Sequence, residues 1–211
     1  PRPAIPISTR AILAPAPVDH GEIVFGNAIH QRDLKPRPHV IKGLLMLRDI
    51  TVLVAPGGVG KSLLSLTIAA CLAVGADCLC YQNVTGRSMK SIVYDAEDDV
   101  AEMSARLNAI CYTMQVDFEK VRPQVALLSG KDGRSLSLVK GGPQMSLNME
   151  DFEYLIKAAA DPEVAMLAMG PLNSLHELNG SDNIVMAYVM KALNALAGRT
   201  NVALLLQHHT S

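Results

Sequence analysis

The stretch Ala55–Pro56–Gly57–Gly58–Val59–Gly60–Lys61–Ser62 follows the apolar run ITVLV and opens a second apolar stretch. Glycines and small residues at this spacing let successive backbone N–H groups converge on one anion, which bulkier residues would obstruct. The lysine that ends the loop supplies a cation for β- and γ-phosphates, and the serine hydroxyl supplies a ligand for Mg²⁺. The string meets the phosphate-loop pattern GxxxxGK[ST] everywhere except its first position, where Ala55 stands for glycine. A strand-like run before it and a helix-like run after it complete the setting, with the positive end of the helix facing the anion. Pro56, Gly57, Gly58, Val59, Gly60, Lys61, Ser62 and Leu63 are therefore expected to bind a nucleotide, with Mg²⁺ on Ser62.

Two more apolar runs end in side chains that hold protons or metals: IVYDAEDD, about 35 residues after the loop, and LLLQHHTS at residues 204–211. Cys71, Cys78, Cys80 and Cys111 have no CxxC spacing and are too few for a disulfide scaffold, so they read as buried or incidental thiols.

The elements that must position these residues alternate. ITVLVA (50–55), SIVYDA (91–96), VALLS (125–129), EVAMLAM (163–169) and NVALLLQ (201–207) read as strands. Between them, residues 61–74, 98–114, 148–160 and 182–198 read as helices, with Gly75 and Gly198 as stops for the first and last. Apolar strands alternating with helices imply βαβ units: an α/β domain whose central parallel sheet carries helices on both faces. Residues 1–42 read as a proline-rich N-terminal arm, with five prolines in the first 19 residues and a possible short strand at EIVF; residues 43–211 read as the compact domain. A chain that starts at Pro1 and stops at HHTS reads as a piece of a longer protein.

With 211 residues, 49% of them hydrophobic, the chain can bury a sizeable core. No run approaches the roughly 18 consecutive apolar residues of a membrane span, and there is no signal-peptide layout, so a cytosolic location is the default. A formal charge of −1 provides no global attraction to nucleic acid, so any such contact must be local or come from assembly.

Taken together, APGGVGKS, IVYDAEDD and LLLQHHTS resemble the RecA-like (ASCE) branch of the P-loop NTPases, and more closely the hexameric replicative helicases of plasmids and phages typified by RepA. The resemblance covers roughly residues 36–211. It implies ATP and Mg²⁺ as cofactors, a hexameric ring of this chain, and single-stranded DNA as a partner. It also implies that the histidine-ending strand lies between the phosphate-loop strand and the strand carrying the Walker B aspartate. Glu97 matches the glutamate that polarises the attacking water, although an acid there also suits a helix N-terminus. His208 matches the γ-phosphate sensor, with His209 as its neighbour. Asp95, Asp98 and Asp99 read as solvated or capping, with Asp98 a weak candidate for the metal's outer shell.

The pattern fails at one point. In VAMLAMGPL, Gly170 stands where the family has the Walker B aspartate. Either hydrolysis is lost, or Glu97, Asp98 or a downstream acid compensates, or the alignment shifts. A nucleotide-binding regulatory or scaffold module with impaired hydrolysis is therefore the alternative reading, and a recombinase- or clock-type relative a third. The basic finger that should follow the histidines would lie beyond Ser211. The family's first DNA loop corresponds to NSLHELNGSDN (173–183), which holds no lysine or arginine; Lys131, Arg134 and Lys140 form a better but weak local patch, which a solvated hairpin would also explain.

Overall fold

The computed structural model describes residues 38–141, 145–177 and 183–210. The chain divides into Pro1–Pro38 and His39–Ser211, and all described residues except Pro38 belong to the second unit. The proline-rich arm up to residue 37, its EIVF stretch, and residues 178–182 of the NSLHELNGSDN segment lie outside the described residues.

The second unit opens with a small antiparallel pair, β1 (His39–Ile41) and β2 (Leu45–Met46). Five parallel strands follow in the order β3 (Ile50–Ala55), β9 (Ala203–His209), β8 (Val164–Gly170), β4 (Lys90–Asp95), β5 (Val125–Ser129). Their central residues are mostly apolar, and β8 is buried along its whole length, as a sheet covered on both faces requires. The expected α/β architecture with a parallel central sheet is the one observed. The expected insertion of the histidine-ending strand is also present: β9 lies between β3 and β8.

Helices cover the two faces. On one, α1 (Lys61–Val74) packs against β4, with α2 (Val100–Met114) and the short α3 (Phe118–Val121) over it. Sandwiched in this way, α1 is apolar nearly all round, and Leu66, Ile68, Ala69, Ala70 and Leu72 are almost completely buried. It ends at Gly75, whose φ of 69° is the left-handed conformation that glycine adopts without strain. On the other face, α4 (Met149–Ala158) and α5 (Asn183–Thr200) enclose a cluster that includes Phe152, Leu155, Leu193 and Leu196 with Ile92, Tyr94, Leu167, Met169, Leu204 and Leu206 of the sheet.

Element ends shift by one or two residues, and the compact unit begins at His39 rather than 43; two helix boundaries have a clear physical cause. α5 runs through Gly198 to Thr200, and the left-handed residue just beyond it is Asn201, at φ 56°. Asparagine tolerates that conformation better than most residues, so it does the work expected of the glycine. α2 starts at Val100 because the Asp99 carboxylate accepts the Glu102 N–H (2.8 Å) and caps the helix. A hairpin of β6 (Val139–Lys140) and β7 (Ser146–Leu147) stands before α4. Among the four cysteines, Cys71, Cys78 and Cys111 are buried and only Cys80 is exposed; none forms a disulfide.

Asp151, on the first turn of α4, fastens the segment after β5 to the body. It is 5% exposed and accepts from Arg134 Nε (2.8 Å), the Ser137 N–H (2.9 Å) and Asn148 Nδ2 (2.8 Å). Asp151→Ala would leave three donors without an acceptor. Because Arg134 is exposed enough to rehydrate, the expected loss is about 2 kcal/mol rather than the larger cost of a fully buried pair, measured by urea unfolding.

Candidate functional site

All the chemistry-bearing stretches meet at the C-terminal edge of the sheet. The loop between β3 and α1 takes positive φ at Gly58 (76°) and Gly60 (94°), where any side chain would be strained. Gly60 caps α1 without a side-chain acceptor, so the first N–H groups of the helix point out of the protein, ready for an anion. Lys61 is 8% exposed, and its ammonium donates to the carbonyls of Ala55 (2.8 Å) and Pro56 (2.7 Å). Two of its three donors are thus held within the loop, and phosphate oxygens would compete for them.

A cleft of about 410 Å³ opens over the loop, lined by Gly58, Gly60, Lys61, Ser62 and Leu63 together with side chains from β4, β9 and α2. Among the strand-end residues, Asp95 departs from expectation. It is not solvated: it is the last residue of β4, 3% exposed, and Ser62 Oγ lies 2.9 Å from its Oδ2. Its other oxygen, Oδ1, accepts the N–H groups of Glu97 (2.9 Å) and Asp98 (3.2 Å), which fixes the turn that carries Glu97. The reason is alternation along the strand. Tyr94 points into the core beneath α4 and α5, so Asp95 points to the opposite face, where the phosphate loop lies.

The same alternation corrects the histidine assignment. Leu206 belongs to the core under α5, so Gln207 and His209 face the cleft, and His208 does not line it. It is His209, not His208, that sits beside the loop: its Nδ1 is 3.6 Å from where a Cβ on Gly57 would be, and its Nε2 is 3.9 Å from Glu97 Oε2. That separation is too long for a hydrogen bond but close enough for both side chains to reach one ligand. Glu97 itself is well exposed, with 64% of its side chain accessible.

Asp98 is a poor metal candidate, because its carboxylate is paired with the Arg106 guanidinium. Burial lowers the Arg106 pKa, but the bonds to Asp98 and Glu102 outweigh it and hold the guanidinium firmly charged. Arg106, two turns into α2, lines the cleft although nothing in the sequence pointed to it.

Gly170 ends β8 in register with Asp95 on one side. On the other side is Gln207, whose side chain lies across the glycine: a Cβ on Gly170 would be 2.6 Å from Gln207 Cβ. Gln207 is 3% exposed, with Oε1 3.1 Å from Ser62 Oγ, while Nε2 donates to Ser65 Oγ (3.2 Å). A hydroxyl, a carboxylate and an amide oxygen therefore converge beside the phosphate loop, all hard oxygen donors of the kind Mg²⁺ prefers. No cluster of three or more His, Cys, Asp or Glu suited to a metal occurs among the described residues.

Two of the three residues of the basic patch are paired with acids. Arg134 is bound by Glu150 (2.7 Å) and Asp151 and stacks on Tyr154, 4.8 Å from the ring centroid. Lys131 pairs with Asp99 at 3.4 Å, and Lys140 stands exposed on β6. Short spacing in sequence had suggested a common positive surface, whereas folding spends two of the three charges on acids. Among the described residues, no helix is long and apolar enough to cross a membrane.

A family model described as an AAA domain matches residues 17–211. No curated protein matches the chain.

Proposed function

The chain belongs to the AAA domain family of P-loop ATPases, and from that premise we propose that it is the Mg-ATP-driven motor domain of a replicative DNA helicase of the plasmid and phage kind, acting as a ring on single-stranded DNA. The observation that carries this reading is the insertion of β9 between β3 and β8, which sets His209 between the phosphate loop and Glu97. In this reading the N–H groups of the loop and Lys61 bind the β- and γ-phosphates, and Ser62 holds the metal. Mg²⁺, when bound, neutralises charge developing on the phosphates. Glu97 orients the attacking water and accepts its proton, while His209 donates to the γ-phosphate and loses that contact when the phosphate leaves.

DNA contact is assigned to no residue of the Lys131–Arg134 segment, since its charges are already paired. A second reading, a nucleotide-binding regulatory module with impaired hydrolysis, is favoured by one observation: Gly170 at the tip of β8. ATP hydrolysis by the full-length protein, with and without single-stranded DNA, separates the two. The motor reading expects turnover that DNA stimulates; tight Mg-ATP binding with no turnover in either condition would support the module.

A further inference from the structure

We propose that Asp95, one strand away from Gly170, is the carboxylate that positions the metal at this site, and that Gly170 and Gln207 form the pair that makes room for it. This rests on the nucleotide-binding reading above and assigns the metal-holding group within it.

The geometry is specific. Asp95, Gly170 and Gln207 are register neighbours on three adjacent strands, all directed to the α1 face. With no side chain at the central position, the two flanking side chains reach Ser62 from either side, at 2.9 and 3.1 Å. A serine hydroxyl has one proton and two lone pairs. Giving the proton to Asp95 turns a lone pair outward, toward the cleft over the phosphate loop, which is the orientation a metal ligand needs. Gln207 cannot take this role alone: its amide is neutral, and its Nε2 is committed to Ser65.

Asp95 is a better choice than the nearby acids. Glu97 is solvent-exposed and directed toward His209, and Asp98 is neutralised by Arg106. Only Asp95 is both buried and bonded to the hydroxyl of the phosphate loop. It is also a structural acceptor for the turn at Glu97 and Asp98, so a test must separate that role from metal positioning. Asp95→Asn does so, since an amide oxygen can still accept those N–H groups while the charge is removed.

The readout is Mn²⁺ affinity, followed by electron paramagnetic resonance on the full-length protein saturated with ADP, alongside ADP affinity in EDTA. Asp95→Asn is expected to weaken Mn²⁺ by about 10- to 100-fold, the range for loss of a group supporting a metal ligand, while metal-free ADP affinity stays within about twofold. Glu97→Gln is expected to leave Mn²⁺ affinity unchanged. Unaltered Mn²⁺ affinity in Asp95→Asn would overturn the proposal, and an equal loss of ADP affinity in EDTA would reduce Asp95 to a structural residue. If wild-type protein bound no ADP at all, the nucleotide-binding reading itself would fall. Should Asp95→Asn not fold, Fe²⁺-directed cleavage of wild-type protein decides: cuts beside Ser62 and Asp95 support the assignment, and cuts confined to the segment after β8 refute it.

Discussion

Gly170→Asp, which would place an acid where the resemblance expects the Walker B aspartate, is expected to destabilise the protein. The new Cβ would lie 2.6 Å from Gln207 Cβ, closer than real atoms sustain, and 3.0 Å from its Cγ and Cδ. Gln207 cannot swing away freely, because it is 3% exposed and its Nε2 donates to Ser65 Oγ. Overpacking of this kind costs about 1–3 kcal/mol. A second carboxylate beside buried Asp95 adds like-charge repulsion to that strain. The total is expected near 3 kcal/mol, a fall in melting temperature on the order of 10 °C for a domain of this size. Gly170→Ala should show the steric part alone. Alanine at 207 would keep the Cβ that clashes, so Gly170→Asp/Gln207→Gly is the variant that should recover the steric part and leave the electrostatic remainder, as read by thermal unfolding of the four proteins side by side. A single Gly170→Asp protein as stable as wild type would mean that Gln207 is not locked in place. Lack of activity in the single Gly170→Asp protein would therefore reflect a distorted site rather than the hydrolytic capacity of the site with glycine.

The frame of the fold was legible because its signals are local. β-branched runs, a glycine stop after Val74 and the fixed form of the phosphate loop each depend on a few adjacent residues. What was not legible depends on which way a strand faces. His208 and His209 are adjacent and chemically identical, so only the alternation set by buried Leu206 decides that the second one reaches the cleft. Asp95 sat among four acids in DAEDD, and its burial follows from the strand ending on it and the helix waiting until Val100. One signal was available: Gln207 is a polar residue closing an otherwise apolar run, and such residues are seldom buried without a partner. Its partner Gly170 lies 37 residues earlier, and no local pattern links them. The Arg134–Asp151 and Lys131–Asp99 pairs were not legible for the same reason, since each joins residues 17 or more positions apart in sequence.

Glu97→Gln carries the largest kinetic effect expected of this site. Glutamine matches glutamate in size and can keep an attacking water in place, but it cannot accept a proton. The contribution of a positioned general base, about 10²- to 10⁴-fold, should therefore be lost from kcat. Binding should not suffer: Glu97 makes its hydrogen bond to Asp95 through its backbone N–H, and its side chain is largely in solvent. ATP affinity within about twofold of wild type, with turnover reduced a hundredfold or more, is thus the expected split, measured by equilibrium binding and steady-state hydrolysis on the same preparation. Asp95→Asn should behave differently, losing metal affinity as well as turnover, because its carboxylate meets the loop serine and not the water. If Glu97→Gln hydrolysed ATP at the wild-type rate, the base would have to be another group in reach of the cleft. His209 is then the next residue to replace, since its Nε2 lies 3.9 Å from the same glutamate oxygen. In the proposed reading the two side chains divide one task by chemistry, with an anion able to take a proton from water and an imidazole able to donate to phosphate. Removing either alone should slow turnover while leaving the loop's hold on the nucleotide intact.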